Sequence, residues 1–350
     1  MTEILGAESL KTAYDTLLAH NPDYGNVVVV ADNRFVDRLK NIVPSGKVYG
    51  VPGGEGCKSL AEVEKLWKHL SENGVTRHSL LIAVGGGSVT DMAGFAASCF
   101  KRGLDTAYIP TTVLGAVDAA IGGKTGINFC GLKNEIGTFH NPVAVVMVPE
   151  LWNSLDYEQL ASGYGEVLKT ALLEGKQQTL QVLMVADALA EGVKQPFSME
   201  LIRSCAEFKK NVVEKDPYDL GLRKQLNLGH TFAHALESYA RKRNLPLSHG
   251  HAVAIGLLAM AIMSHDITGL KAEWVDCIAA ALKKVYTPFS WRCDDVDELA
   301  GYMHHDKKNL SGDTIKFVLL EAPGIPAIDC DATERQIQQT LELTKDYLGV

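Results

Sequence analysis

Residues 80–98 read LLIAVGGGSVTDMAGFAAS, and this stretch indicates the fold class of the first part of the chain. The apolar run at 80–84 ends in three glycines at 85–87, and a segment with helical periodicity follows from Ser88. A strand, a glycine turn and a helix in that order form a βα unit. Backbone N–H groups at the start of such a helix attract anions, and glycines let an anion approach them. The stretch therefore predicts a diphosphate site.

A second interpretation of the same stretch is purely structural. The glycine spacing is not GxGxxG, so an ordinary Rossmann fingerprint is absent. Three glycines also suit a tight turn, and Ser88 with Asp91 has the spacing of a helix capping box. The two interpretations are compatible, and both stay open at this point.

The neighbouring sequence extends the βα pattern over residues 1–150. Apolar β-branched runs at 27–30 and 143–148 resemble the run at 80–84, and residues 59–70 have helical periodicity. We therefore expect an α/β domain with a parallel sheet that binds a nucleotide. Acidic and basic residues at its strand ends and loops are candidate cofactor contacts, although most such charges are simply solvated: Asp32, Glu55 and Lys58.

Residues 151–350 have mainly helical periodicity, which predicts a second, mainly α-helical domain. We expect this domain to bind metal and substrate. One strand is expected at 314–320. The helical periods lie at 157–174, 179–191, 198–214, 222–241, 251–265, 272–285 and 332–347.

Composition excludes several classes of protein. The net charge of −8 argues against a nucleic-acid partner. The longest stretch without polar side chains, 252–263, is too short for a membrane-spanning helix, and the first residues lack the order of a secretory signal. Seven cysteines with no CxxC pair indicate reduced thiols rather than a disulfide framework or zinc ribbon. We therefore expect a cytoplasmic enzyme with no membrane partner.

The segment GLRKQLNLGHTFAHALE at 221–237 carries polar groups at regular spacings. Spacings of four, three, four and three would place them on one face of a single helix, lining a cavity. A His pair one turn apart is a known metal spacing, although a lone HxxxH is more often a satisfied or exposed pair. The residues of this stripe are Arg223, Asn227, His230, His234 and Glu237.

Two further motifs supply metal-ligand candidates. SHGHAVAIG at 248–256 brings His249 and His251, and its alternative interpretation is a polar loop. GYGEVLK at 163–169 places Glu166 and Lys169 at i and i+3, which could equally be an exposed ion pair. Taken together with His230, the motifs predict a metal site of two histidines and one glutamate, with one coordination position open.

Cationic residues also stand in glycine-rich or apolar contexts, where they could bind a phosphate and a carboxylate. Taken singly, a lysine is most often a surface residue. The candidates are Lys124, Lys133, Lys209, Arg223 and Lys307.

Together these motifs resemble the 3-dehydroquinate synthases of the sugar phosphate cyclase family. The resemblance spans roughly positions 50 to 320 and rests on GGGSVTDMAGF, KRGLDTAYIPTT, VDAAIGGKTGIN, GLKNEIGTF and the three motifs of the second part, in the family's order. It implies NAD and a divalent metal, Zn²⁺ or Co²⁺, as cofactors. The implied reaction converts 3-deoxy-D-arabino-heptulosonate 7-phosphate to 3-dehydroquinate and phosphate in the shikimate pathway.

The resemblance also implies roles for individual residues. Metal would be held by Glu166, His230 and His249. NAD would be bound by Asp32, Glu55, Lys58, Gly86, Gly87, Ser88, Val89, Thr90, Asp91, Thr111, Thr112, Asp118, Lys124 and Lys133. The substrate, a phosphorylated sugar acid, would be contacted by Lys124, Asn134, Lys169, Lys209, Arg223, Asn227, His234 and Lys307. Arg102 would reach the substrate phosphate of a neighbouring subunit, which implies a homodimer.

The chain departs from the family pattern at two positions. His251 stands where the family usually has Glu, so it could compete with His249 for the metal, and Ala233 replaces a glycine. Three rival functions use similar parts. They are another sugar phosphate cyclase, a metal-dependent polyol dehydrogenase that releases reduced cofactor, and a noncatalytic NAD-binding protein that retains the fold.

Overall fold

The computed structural model describes residues 2–20, 23–304 and 315–350. The chain divides into two compact units, Met1–Leu155 with Ser198–Tyr218, and Asp156–Phe197 with Asp219–Val350. The strands are β1 (Glu3–Gly6), β2 (Asn26–Asp32), β3 (Val48–Val51), β4 (Ser79–Gly85), β5 (Asp105–Pro110), β6 (Lys124–Phe129), β7 (Leu132–Phe139), β8 (Ala144–Met147), β9 (Lys316–Ala322) and β10 (Ile325–Asp331).

The helices are α1 (Leu10–His20), α2 (Val36–Lys40), α3 (Leu60–Glu72), α4 (Gly87–Cys99), α5 (Pro149–Trp152), α6 (Tyr157–Glu174), α7 (Lys176–Ala190), α8 (Met199–Lys215), α9 (His230–Lys242), α10 (His249–Ile267), α11 (Ala272–Val285), α12 (Val296–His304) and α13 (Glu334–Leu348).

The first unit is built on a parallel sheet of six strands in the order β1-β8-β5-β4-β2-β3. Every residue of β4 is buried, because helices cover both faces of a sheet of this kind. The apolar runs at 27–30 and 80–84 form the paired strands β2 and β4. This confirms the predicted α/β class of the first part.

The strand order reverses direction between β2 and β4. The chain leaves β2 towards β3 at one edge and leaves β4 towards β5 on the other side. Ligands of open α/β sheets bind beyond the carboxyl ends of the strands at such a switch point, because the loops there diverge and leave a crevice. The glycines at 85–87 connect β4 to α4 at this point.

A β-hairpin, β6–β7, packs against α4 and was not predicted from the sequence. Gly94 of α4 permits the contact, because a Cβ there would lie 2.4 Å from the Thr125 side chain of β6. The ladder has a register shift between Ile127 and Phe129. The single β6 residue between them, Asn128, therefore lies opposite a bulge of three β7 residues, 133–135.

Helix α8 belongs to the first unit although its sequence lies in the second half of the chain. A Cβ at Gly6 of β1 would lie 3.4 Å from the Met199 side chain of this helix. Further along α8, the Lys209 Nζ atom lies 2.7 Å from Asp118 Oδ1 and 2.8 Å from the Asp118 carbonyl oxygen.

The second unit consists of helices around α10, with one added hairpin. By length and composition α10 could span a membrane, but 78% of its apolar window is buried inside the protein. It is therefore the core helix of this unit. The strand expected at 314–320 is β9 within the described residues, paired with an unpredicted β10. Phe317 of β9 packs on Phe232 of α9, with ring centroids 5.4 Å apart.

The expectation of one continuous helix over 222–241 is wrong. Residues Leu222–Asn227 form a 3₁₀ turn, and Gly229 has left-handed angles of φ 75° and ψ −15° before α9 begins at His230. A left-handed residue ends a helix, but the apolar residues on either side of it can still recur at helical spacing. The periodicity therefore does not reveal the break. Arg223 and Asn227 therefore do not share a helical face with His230.

Candidate active site

Close contact between α6 and α10 creates the centre of the site. A Cβ at Gly165 would lie 2.1 Å from the Gly250 carbonyl oxygen, and one at Gly250 would lie 1.8 Å from the Ser162 carbonyl oxygen. Only glycine allows the two backbones to touch in this way. Glu166 follows the first glycine and His249 precedes the second, so the crossing places these side chains opposite each other.

Helix α9 approaches α10 through a second glycine contact. A Cβ at Gly256 would lie 2.1 Å from the carbonyl oxygen of Gly229, the residue just before α9. This contact brings His230, the first residue of α9, to the same place as Glu166 and His249. The glycines of all three motifs thus serve the same purpose, which is the close approach of three helices.

The three ligand candidates form one cluster. Ligand atoms of Glu166, His230 and His249 all lie within 4.8 Å of one another. Glu166 Oε1 is 3.1 Å from His249 Nε2 and 3.5 Å from His230 Nε2. His230 Nδ1 lies 3.2 Å from the carbonyl oxygen of Leu228, which can only accept, so this nitrogen carries the proton. The Nε2 lone pair of His230 is thereby directed at the cluster.

A buried lysine adds a positive charge to the cluster. Lys169 Nζ lies 2.5 Å from Glu166 Oε2, and both side chains are almost completely buried. The alternative of an exposed ion pair is therefore wrong. Burial disfavours the charged form of Glu166, but the charge of Lys169 and the contacts with His230 and His249 outweigh it. They hold the pKa of the Glu166 carboxyl well below its usual value.

The two histidines of the cluster differ in their protonation. Burial lowers the pKa of His230 to about 4. Burial acts in the same direction on His249, but its contacts with Glu166 and Glu237 raise its pKa to about 10. One imidazole of the cluster is thus neutral, and the other is an imidazolium whose two N–H groups face Glu166 and Glu237.

This donor set fits a divalent metal. Two imidazole nitrogens and one carboxylate oxygen converge from three different helices, and Glu166 is completely buried. A bound metal would take the place of the His249 Nε2 proton as the positive charge beside Glu166. Two histidines and one glutamate form a three-ligand set that leaves a further coordination position for substrate.

The other two histidines of the motifs lie outside the cluster. The His234 ring is 5.6 Å from the His230 ring, one helical turn along α9. His251 stacks on Tyr286, with ring centroids 4.4 Å apart and an angle of 12° between the planes. Burial lowers the pKa of His251 to about 4.

In the first unit, the glycine turn after β4 differs from its sequence interpretation in one respect. Helix α4 begins at Gly87, and its N-cap residue Gly86 makes no side-chain capping bond. The capping box of Ser88 with Asp91 is absent, because Asp91 Oδ2 lies 2.5 Å from Lys58 Nζ. The N–H groups at the start of α4 are therefore not covered by a capping side chain.

The glycines of this turn are also required for packing. A Cβ at Gly85 would lie 2.5 Å from Val89, and one at Gly87 would lie 2.7 Å from the Ala119 side chain. None of the three glycines has a positive φ. Their small size, rather than backbone freedom, is what this turn uses.

The carboxyl edge of the sheet carries further candidates. Thr111 follows β5, and its buried Oγ1 atom has no hydrogen-bond partner among the described residues. Its backbone N–H donates to the Gly85 carbonyl oxygen at 2.9 Å, which places it beside the glycine turn. The next residue, Thr112, accepts from the Gly115 N–H at 3.0 Å. A buried unpaired hydroxyl beside open helix N–H groups fits a bound dinucleotide.

Asp32 is engaged within the protein. Its carboxylate accepts from the backbone N–H of Arg34 at 2.9 Å and from the Arg34 guanidinium at 2.8 and 3.1 Å. The side chain is also buried. The predicted contact between Asp32 and a ribose stays a prediction.

The Lys58 ammonium connects helix α4 with strand β7 of the first unit. Besides Asp91, it donates to Asn134 Oδ1, and Asn134 has a left-handed φ of 53° in β7. Asn128, which the sequence reasoning gave no role, joins the same network by donating to Glu55 Oε2 at 2.7 Å. Its position in the quoted motif VDAAIGGKTGIN was the one available signal.

The remaining predicted residues are spread over both units. Lys124 and Lys133 are exposed on the β6–β7 hairpin, and Arg102 follows α4 at a φ of 69°. Arg223 is buried in the second unit. Lys307 lies outside the described residues.

Comparison with known proteins agrees with this geometry. Residues 48–162 match the family model "3-dehydroquinate synthase N-terminal", and residues 163–309 match "3-dehydroquinate synthase C-terminal". The 3-dehydroquinate synthase of Thermococcus kodakarensis is 41% identical over 85% of this chain and 82% of its own length. That of Parabacteroides distasonis is 37% identical over 85% and 83%. That of Pelagibacter ubique is 35% identical over 98% and 95%.

Solved structures share the fold at lower identity. The 2-epi-5-epi-valiolone synthase of Streptomyces hygroscopicus, solved with NAD⁺ and Zn²⁺, aligns with a TM-score of 0.83 at 23% identity, over 99% of this chain and 97% of its own. A 2-deoxy-scyllo-inosose synthase, solved with carbaglucose-6-phosphate, NAD⁺ and Co²⁺, aligns at 0.78 and 22%, over 97% and 95%. A probable glycerol dehydrogenase of Sinorhizobium meliloti aligns at 0.65 and 16%, over 99% and 97%.

Because cyclases and dehydrogenases share the architecture, the structural likeness alone does not separate them. The family models and the sequence identity of the curated relatives do, since both cover most of the chain. The chain belongs to the 3-dehydroquinate synthase family.

Proposed function

We propose that this enzyme converts 3-deoxy-D-arabino-heptulosonate 7-phosphate to 3-dehydroquinate and inorganic phosphate, with catalytic NAD and a divalent metal. The reaction belongs to the shikimate pathway of aromatic amino acid biosynthesis and makes the enzyme a carbon–oxygen lyase that acts on phosphates. The observation that carries the proposal is the cluster of buried Glu166 with half-buried His230 and His249 in a chain of this family.

The two cofactors supply chemistry that side chains cannot. NAD accepts and returns a hydride, while the metal, Zn²⁺ or Co²⁺, polarises the hydroxyl to be oxidised. Glu166, His230 and His249 would hold the metal. The Leu228 carbonyl oxygen accepts from His230 Nδ1, so the Nε2 atom keeps its lone pair for the metal. Lys169 stabilises the ionised form of Glu166.

We infer that residues 1–150 provide the NAD-binding domain. The switch point of the sheet, the uncapped start of α4 and the unpaired Thr111 hydroxyl support this inference. Glu55 is exposed in the turn after β3, where a carboxylate can accept from ribose hydroxyls. The proposed NAD contacts are those that the family resemblance names.

Substrate contacts are assigned to the cationic and polar residues that the family resemblance names. We propose that the carboxylate, hydroxyls and phosphate are bound by Lys124, Asn134, Lys169, Lys209, Arg223, Asn227 and His234. Arginine and lysine suit this task because their N–H groups bond phosphate oxygens directly. His234 is proposed to accept a proton during elimination, since an imidazole nitrogen with a free lone pair can act as a general base.

The activity can be tested by following two products together. Purified protein is incubated with the heptulosonate phosphate, metal and NAD at trace concentration. We expect one phosphate for each substrate consumed, many turnovers for each NAD, and reduced cofactor that never exceeds the enzyme. The His230→Ala variant is the inactive control.

The rival functions give different results in this assay. Reduced cofactor that rises in step with substrate loss, without phosphate, would show a dehydrogenase. No turnover of this substrate, but phosphate release from another sugar phosphate, would show a different cyclase. Cofactor binding without turnover of either kind would show a noncatalytic protein.

We further infer that the enzyme is a cytoplasmic homodimer. The described cysteines are free thiols, as expected in a reducing compartment. Lys101, Arg102 and Gly103 in succession have positive φ values of 52°, 69° and 124°. Backbone strain of this kind concentrates at functional sites. It supports the proposed contact of Arg102 with the substrate phosphate of a neighbouring subunit.

A further inference from the structure

Asn128 hydrogen-bonds to three residues of the proposed cofactor and substrate sites. Its Nδ2 atom donates to Glu55 Oε2 at 2.7 Å, and its Oδ1 atom accepts from the backbone N–H of Asn134 at 3.0 Å. Its backbone N–H donates to the carbonyl oxygen of Lys58 at 2.9 Å. Asn128 thus connects the turn after β3 with the end of the β6–β7 hairpin through its side chain and its backbone N–H.

A bulge in β7 lies opposite Asn128. Between the paired positions Ile127–Ile136 and Phe129–Leu132, β6 has the single residue Asn128, whereas β7 has three residues, 133–135. β-Bulges re-aim a side chain and are enriched beside active sites. On the opposite strand Asn134 has a φ of 53°, an uncommon value that the bond from its N–H to Asn128 helps to maintain.

The chemistry of the position requires an amide. One end of the side chain must donate to a carboxylate while the other accepts from a backbone N–H, and asparagine does both with a single short side chain. Aspartate keeps the acceptor but loses the donor, and it places a second negative charge against Glu55. A hydrogen bond to a charged group is also stronger than one between neutral groups.

We propose that Asn128 is a positioning residue for NAD, which orients the Glu55 carboxylate and holds the Lys58–Asn134 contact. The proposal rests on the proposed function, because that function assigns Glu55 and Lys58 to the cofactor. Since Asn128 acts through Glu55, its effect must depend on the carboxylate of that residue.

A double-mutant cycle tests this dependence. The dissociation constant of NAD is measured by titration calorimetry for the full chain and for Asn128→Asp, Glu55→Gln and the double variant. Asn128→Asp alone should weaken NAD binding about tenfold, because a charged hydrogen bond is replaced by repulsion. In the Glu55→Gln background the same change should cost less than twofold, because the new glutamine amide can donate to the introduced carboxylate.

Three controls separate positioning from general damage. Asn41→Asp adds the same charge at an exposed asparagine of the same unit, and it should leave NAD binding unchanged. Metal affinity of Asn128→Asp, measured by chelator competition, should equal that of the unaltered chain. In turnover assays the KM for NAD should rise about tenfold with kcat within twofold. If Asn128→Asp does not fold, Asn128→Ala is used and should weaken NAD binding while keeping metal affinity.

The possible outcomes are distinguishable. Equal NAD binding by Asn128→Asp and the unaltered chain would overturn the positioning role while leaving the proposed function intact. Equal losses in both backgrounds would also overturn it, because the effect would not pass through Glu55. An unaltered chain that does not bind NAD would overturn the proposed function, and this inference with it.

Discussion

His249 Nδ1 lies 3.5 Å from Glu237 Oε1, while the opposite ring nitrogen, Nε2, lies 3.1 Å from Glu166 Oε1. The imidazole therefore lies between two carboxylates. Glu166 is a candidate metal ligand, whereas Glu237 is outside the ligand cluster and contacts the far side of the ring. When Nε2 binds a metal, the proton belongs on Nδ1, facing Glu237. A carboxylate in this place fixes the tautomer and makes the ligand nitrogen more basic.

The first prediction concerns this outer carboxylate. Glu237→Ala should weaken metal binding about 10–100-fold, the usual cost of losing such a partner. Glu237→Gln should lose less, because its amide oxygen can still accept from Nδ1. Chelator competition measures both affinities. Glu298→Ala, which removes an ion-pair partner of Arg243 in the same unit, is the control and should keep the metal affinity unchanged.

The sequence predicts the parts of the fold that depend on local pattern. The buried strands β2 and β4 and the helices α6, α10 and α11 follow directly from runs and periods of apolar residues. Apolar residues recur with the period of the helix or strand because they lie on its buried face, so the pattern can be recognised in the sequence. The predicted family is confirmed for a similar reason, since each motif is a contiguous stretch of chain.

Contacts between distant segments could not be predicted in this way. Gly229 is a left-handed residue that interrupts the segment at 221–237, and it contacts α10 closely. Helix α8 packs in the first unit, although its own sequence looks like that of its helical neighbours. The roles of Gly165 and Gly250 are likewise visible only once two helices touch.

The second prediction concerns the proton that His249 releases when a metal binds. Because the pKa of His249 is raised to about 10 in the metal-free site, this imidazole is protonated at pH 8, and metal binding must displace its proton. Between pH 6.5 and 10, metal affinity should rise with pH by roughly tenfold for each pH unit. Calorimetry in buffers of different ionisation enthalpy should show release of about one proton. Release of none would contradict the assignment of His249.

The same raised pKa makes the opposite prediction for stability of the metal-free protein. A group whose pKa is raised on folding stabilises the fold fully below its unfolded value of 6.5. That contribution is lost as the pH rises towards 10. Urea unfolding of metal-free protein should therefore show falling stability over this range, and His249→Gln should remove this part of the slope.

The third prediction separates the two histidines of the HGH motif. His251 stacks on Tyr286 and its ring nitrogens are not part of the ligand cluster. His251→Phe should keep the stack and bind one metal per chain, whereas His249→Ala should lose stoichiometric metal. Metal content after dialysis measures both. If the two variants behave in reverse, the assignment of the third ligand is wrong.

The fourth prediction tests the crossing of α6 and α10. Gly250→Ala would place a methyl group 1.8 Å from the Ser162 carbonyl oxygen, so the helices must separate. The variant should lose about 3 kcal/mol of stability or more, together with metal affinity, because His249 moves with its helix. Gly301→Ala is the matched control, since nothing lies within 4 Å of the added carbon in helix α12. That change should be neutral or stabilise by up to about 1 kcal/mol in urea unfolding.

The last prediction tests whether Arg102 acts on a neighbouring subunit. Arg102→Ala and Lys209→Ala chains should each be inactive, since each lacks one proposed phosphate contact. If Arg102 reaches across a dimer while Lys209 serves its own chain, a mixed dimer has one site with both defects and one intact site. Random exchange of equal amounts should then restore about a quarter of full activity, because half of the dimers are mixed and each has one working site. A mixture of Lys209→Ala with His230→Ala should recover nothing, because neither defect is supplied by the partner. Absence of recovery in the first mixture, after exchange is verified by tagged chains, would place Arg102 in its own subunit or outside the site.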